Sequence, residues 1–76
     1  MTTTELARVT SDPQIYGGRP CIRGLRISVT DILGMLAGGA TRQEVLRDYP
    51  YLEDADITAA LQYGALQSNH PLIQTT

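Results

Sequence analysis

Cys21 and His70 are the only residues of the chain that could form a thiolate–imidazole pair, and each type occurs once. One lies in a glycine-rich stretch and the other near the C-terminal end, and no spacing ties them together. Cys21 reads as a small buried hydrophobe and His70 as a solvated residue of the tail. A single Cys also excludes an intrachain disulfide, and one Cys with one His cannot build a four-ligand structural metal site without carboxylates. Carboxylates cluster in Glu53-Asp54-x-Asp56, but at the expected start of a helix, where negative side chains suit the positive end of the dipole. The expectation is a protein that is not an enzyme and holds no cofactor and no metal.

Residues 17 to 24, Gly-Gly-Arg-Pro-Cys-Ile-Arg-Gly, invite comparison with a phosphate cradle. The segment lacks the Gly-Lys-Ser/Thr ending of a P-loop and the Gly-x-Gly-x-x-Gly spacing of a dinucleotide site. It does carry charge: Arg19, Arg23 and Arg26 fall between Pro13 and Thr30 with no acidic residue among them. Three guanidinium groups on a stiffened loop suit phosphates, or the carboxylates of a partner or of the chain itself. If DNA is bound, Arg19, Arg23 and Arg26, with Arg42 and Arg47 of a short helix, must hold the phosphates. Gln62 is the candidate reader of a base edge.

The elements that position these residues follow from periodicity. Leu6–Thr10 alternates weakly as a short strand, and Leu25–Val29 alternates at period two as a second, giving a strand–loop–strand over residues 6–30. Gly17, Gly18, Pro20 and Gly24 shape the loop between them. Val29, Ile32, Leu33 and Leu36 share one helical face, opened by Ser28-x-x-Asp31 and stopped by Gly38-Gly39. Thr41-x-x-Glu44 caps a second helix bearing Val45, Leu46 and Tyr49, ended by Pro50. Asp54 is the expected N-cap of a third, with Ile57, Ala60, Leu61, Gly64 and Ala65 on one face and Asp54, Asp56, Thr58, Gln62 and Gln67 outward. Gly64 suits close approach of another backbone. Three helices span residues 28–68 and a tail covers 69–76. The fold class is mainly α, a three-helix, homeodomain-like or winged-helix-like bundle with a short N-terminal β-hairpin.

Seventy-six residues make one domain. A chain of this size buries only about 60% of its unfolded surface, so a partner that covers part of it is expected. Hydrophobic residues make up 42% and charged residues 18%, too apolar for disorder. With no Trp, no Phe and four Tyr, the core must be aliphatic. The net charge is −2 and the pI near 5.0, against bulk coating of nucleic acid. All six basic residues are Arg, four of them in the first half, while the second half is acidic. The early Met-Thr-Thr-Thr-Glu lacks a basic and an apolar region, and no run is long enough for a bilayer, so a cytoplasmic setting with no membrane partner is expected.

Asp12-Pro-Gln-Ile-Tyr-Gly-Gly-Arg-Pro-Cys-Ile-Arg-Gly-Leu-Arg-Ile-Ser-Val resembles the signature of domain-of-unknown-function family four-hundred-and-thirty-three. Asp31-Ile32-Leu33, Ala40-Thr41, Asp48-Tyr49-Pro50, Leu52, Asp56-Ile57 and Ala59-Ala60-Leu61 extend the resemblance over residues 8 to 66. Tyr16 stands where that family usually has Cys, Arg19 for Lys, Leu25 for Thr and Ser28 for Pro. Ser28 keeps a capping side chain, so the helix should survive the change. The resemblance carries over Gly17, Gly18, Pro20, Ile22, Arg23, Gly24, Arg26 and Ile27, none with a catalytic role. It implies a dimeric, antitoxin-like protein that neutralises a PIN-like ribonuclease toxin and, with it, binds operator DNA. On that reading Glu53, Asp54 and Asp56 mimic RNA phosphates for the toxin, and Leu25, Leu72 and Ile73 add partner contacts. The competing expectation is a homodimeric interaction module that binds no DNA.

Overall fold

The computed structural model describes residues 3–68. A single helical turn, α1 (Thr3–Leu6), leads into β1 (Val9–Thr10); after a 3₁₀ turn at Tyr16–Gly18 comes β2 (Cys21–Ile22), then α2 (Val29–Ala37), α3 (Arg42–Asp48) and α4 (Asp54–Gln67). The architecture is mainly helical, three principal helices behind a short antiparallel pair of strands, as the periodicity indicates.

Local chemistry accounts for the helix boundaries. Ser28 Oγ accepts from Asp31 N at 3.0 Å while Asp31 Oδ2 accepts from Ser28 N at 3.1 Å, a reciprocal box at the start of α2. Thr41 and Glu44 repeat the device on α3 at 3.1 and 2.8 Å. Helix α4 starts one residue earlier than expected: Glu53 is its N-cap, and Asp56 Oδ2 accepts from Glu53 N at 2.8 Å.

The hairpin differs from the expected one. β1 pairs with Cys21–Ile22, in the register Val9↔Ile22 and Thr10↔Cys21, and not with Leu25–Val29. The latter segment lies on the other side of β2, where Ser28 bridges Cys21 and Ile22 N donates to Ile27 O at 3.1 Å. The cause is the turn between them. Arg23 and Gly24 have φ of +49° and +72°, and Leu25 N donates to Ile22 O at 2.7 Å, which is the type I′ geometry of tight hairpins. Gly24 enters it freely; Arg23 does so against the usual preference of a residue with a Cβ.

The core is aliphatic: Ile22, Ile27, Val29, Ile32, Val45, Leu52, Ile57 and Ala60. On α4 the buried stripe is Asp56, Ile57, Ala59 and Ala60, whereas Leu61 is 42% exposed and Ala65 lies at the surface. The helix is rolled from its expected orientation so that Asp56 faces inward. Gly64 does admit a close neighbour, but it is a side chain: a Cβ there would stand 2.9 Å from Leu33 Cδ1 of α2.

Candidate functional site

Two constellations stand out, one that holds the glycine-rich loop and one that it displays. The first centres on Asp56, whose side chain is wholly buried. Its Oδ1 accepts from Arg8 Nη1 at 2.9 Å and from Arg23 Nε at 3.0 Å. Its Oδ2 accepts from Arg23 Nη2 and from Glu53 N, both at 2.8 Å. Arg23 Nη2 also reaches Tyr51 O at 3.1 Å, and Arg8 Nη1 reaches Glu53 Oε1 at 2.8 Å. Arg8 follows α1 and Arg23 sits at the hairpin turn, joined by the bond from Arg23 N to Arg8 O at 2.8 Å. Both guanidinium groups therefore clamp the loop to the first turn of α4. Arg23 binds both carboxylate oxygens, the fork geometry that makes such a pair directional.

This clamp settles where several expected site residues lie. Asp56 belongs to the interior and presents no charge to a partner, because a buried carboxylate must be satisfied from within. Arg23, expected to contact phosphate, is held by Asp56 and Tyr51. Arg42 is held by Asp54 and Thr58, with Nε to Asp54 Oδ1 at 2.9 Å and Nη2 to Thr58 Oγ1 at 2.7 Å. Glu53 and Asp54 stay exposed, each facing an arginine. Arg47 is exposed, its Nε 3.7 Å from Asp48. Gln62 is partly buried, and its Oε1 has no hydrogen-bond partner. Leu25 is half-buried against the core. Leu72, Ile73 and His70 lie outside the described residues. Gly17 and Gly18, at φ +62° and +92°, shape the turn as expected, and Pro20 O accepts from Val29 N at 3.0 Å. Cys21 is buried at the strand pair, and burial pushes its thiol up, away from the reactive thiolate.

The second constellation is a cleft of about 360 Å³ between the loop, α2 and the α3–α4 connection. Tyr16, Tyr49 and Tyr51 line it with Arg26, Ile27, Asp31 and Met35. Tyr16 Oη donates to Arg26 O at 2.9 Å, and the Tyr49 and Tyr51 rings meet edge to face at 6.2 Å. Arg19 and Arg26 have no side-chain ion pair or hydrogen bond among the described residues and are exposed. Sequence reasoning missed Arg8, Asp31 and the three tyrosines as parts of a site. The only signal available was the scarcity of aromatics, four in all.

Acid should loosen the clamp in a definable direction. Burial alone pushes the Asp56 carboxyl up, but hydrogen bonds from Arg23, from Glu53 N and from Arg8 outweigh it and hold it below its ordinary value. Arg42 lowers Asp54 and the Thr41 backbone lowers Glu44 in the same sense. A carboxyl lowered on folding stabilises the native state fully above its unfolded value, near about 3.9 for Asp, and that contribution is lost as pH falls through the folded value. Urea midpoints measured from neutral pH downward should therefore hold until about pH 4 and then fall. Asp56→Asn should flatten that acid limb. An unchanged limb in the variant would place the titration elsewhere.

Three helices in this order behind a glycine-rich loop clamped to the third of them define a small, mainly helical domain. The chain belongs to the family described as Protein of unknown function (DUF433), whose model matches residues 9–64. It is similar to the uncharacterized protein y4eO of Sinorhizobium fredii, 38% identical over 56 residues. That match covers 74% of this chain and 25% of the relative, so the chain spans about a quarter of the relative's length. No solved structure matches. No helix among the described residues is long and apolar enough to cross a membrane.

Proposed function

We propose that the chain is an antitoxin-like, non-catalytic binding module that works in the cytoplasm as a homodimer and whose main partner is a protein, a PIN-like ribonuclease. The family resemblance supplies the kind of partner. The observation that carries a protein partner is that α4 leaves two large apolar side chains in water, Leu61 and Leu66, at 42% and 55% exposed. Large apolar side chains left in water favour a surface that another chain covers. The exposed Glu53 and Asp54 add negative charge near the start of the same helix, suited to the basic surface of an RNA-cleaving enzyme.

Operator DNA takes second place in this reading, because Arg23 and Arg42 are already paired inside the chain. Arg19 and Arg26 remain for phosphates, as does Arg47, whose nearest carboxylate, Asp48, stands 3.7 Å away. A dimer using Arg19 and Arg26 from each chain would show a salt slope of about −3.6, against about −5.4 if Arg23 joined them. Co-expression with the product of the neighbouring reading frame, followed by size exclusion and a ribonuclease assay, tests the main claim. The expected result is a stable complex with suppressed cleavage, lost on Leu61→Asp with Leu66→Asp. Full nuclease activity in the presence of excess chain would refute it. A labelled operator fragment that the complex fails to retain even at about 50 mM salt would remove the DNA half. The remaining reading would then be a homodimeric interaction module.

A further inference from the structure

Three of the chain's four tyrosines, Tyr16, Tyr49 and Tyr51, line a single cleft whose lining does not include the exposed leucines of α4. Packing does not explain the outer two, since Tyr16 is 46% and Tyr51 50% exposed. Tyr16 holds its place through its hydroxyl bond to Arg26 O and through a backbone φ of +51°, which residues with a Cβ rarely adopt. The Tyr49 and Tyr51 rings meet edge to face at 78° and do not stack on each other. A volume of about 360 Å³ is at the small end for ligand clefts, room for one compact molecule.

Two charges of opposite sign narrow the occupant. Arg26 has no side-chain partner among the described residues, so a simple cation would be repelled. Asp31 accepts from Ser28 N through Oδ2, and its Oδ1 has no donor among the described residues, so a simple anion is disfavoured as well. The complement is a flat molecule with adjacent N–H donors at one edge and an anionic group at its far end. Among nucleobases, guanine alone sets two N–H donors side by side on its Watson–Crick edge. Adenine and cytosine would turn a ring-nitrogen lone pair toward the carboxylate, and uracil flanks its single N–H with carbonyls.

We propose that this cleft binds one guanine nucleotide, with the base on the tyrosine rings, its donor edge on Asp31 and its phosphate on Arg26. The nucleotide is either free or an unstacked residue of a single strand, and the inference stands independently of the protein partner on α4. Calorimetric titration of the full chain with GMP, guanosine, AMP, CMP, UMP and inorganic phosphate tests it. A short single-stranded oligoribonucleotide with one guanine forms a further arm. GMP is expected to bind about tenfold or more tightly than UMP or CMP. Tyr51→Ala is expected to weaken GMP about tenfold through lost stacking. Asp31→Asn, which keeps an acceptor for Ser28 N, should erase the base preference, and Arg26→Gln should make GMP and guanosine equivalent. Unchanged urea midpoints in the three variants show that the fold is intact. Equal affinity for GMP and the strand identifies the free nucleotide as ligand, and a tighter strand identifies the nucleic acid. Binding of UMP or phosphate as tight as GMP overturns the proposal. So does silence with both GMP and the oligonucleotide at millimolar concentration.

Discussion

Asp56→Ala should lower the free energy of unfolding by about 3 kcal/mol and move the urea midpoint sharply downward. The substitution removes the acceptor of four hydrogen bonds and leaves Arg8, Arg23 and the first turn of α4 facing a void. Removing one partner of a buried ion pair costs about 3–5 kcal/mol. The low end applies here, because the Arg8 and Arg23 side chains are 29% and 36% exposed and water can rehydrate them. Even about 3 kcal/mol is a large share of the 5–15 kcal/mol that holds a typical domain, and a chain of this size sits low in that range. Urea unfolding followed by helical circular dichroism measures it. Arg23→Ala should cost less than Asp56→Ala, since Arg8 and Glu53 N still satisfy the carboxylate, and the double variant should lose less than the sum. A midpoint for Asp56→Ala within about 0.5 kcal/mol of the parent would show that the clamp contributes nothing.

Ile32→Ala should be at least as severe by a different route. Ile32 is fully buried in the cluster that joins α2 to α4 through Ile57 and Ala60. Truncating a buried Ile to Ala costs about 2–5 kcal/mol, the sum of lost apolar burial and an unfilled cavity. The core holds no Phe or Trp whose ring could shift into the space, so a value near about 4 kcal/mol is expected. Leu66→Ala, exposed on α4, should stay within about 0.5 kcal/mol of the parent. The contrast matters for function: a leucine whose loss leaves the fold unchanged but abolishes the partner complex has a role only in recognition. If Ile32→Ala were as mild as Leu66→Ala, the assigned core would be misplaced.

Much of the helical framework could be read from short windows of residues. Ser28 with Asp31 and Thr41 with Glu44 mark the starts of α2 and α3 because a capping box needs only four consecutive residues. Gly38, Gly39 and Pro50 mark the stops for equally local reasons. Period alone also picked out Val29, Ile32, Val45 and Ile57 as inward positions. The strand pairing was less legible. Leu25–Val29 alternates in residue type, but Ser28 is buried along with Ile27 and Val29, and the alternation does not say which neighbour the segment pairs with. That choice followed from a tight turn at Arg23-Gly24, in which Arg replaces the Asn or Asp that usually announces it.

The roles of the charges were decided only by the closed chain. Asp56 looks like one more carboxylate at a helix start, and Arg8 and Arg23 like free cations, until folding brings positions 48 and 33 residues apart into one buried cluster. The same closure gathers Tyr16, Tyr49 and Tyr51 around one cleft, although nothing within ten residues of Tyr16 points to the other two. Turns, caps and periodicity are properties of neighbours along the backbone and are written in consecutive residues. Which guanidinium meets which carboxylate depends on how the helices pack around the aliphatic core, and that is a property of the whole chain at once.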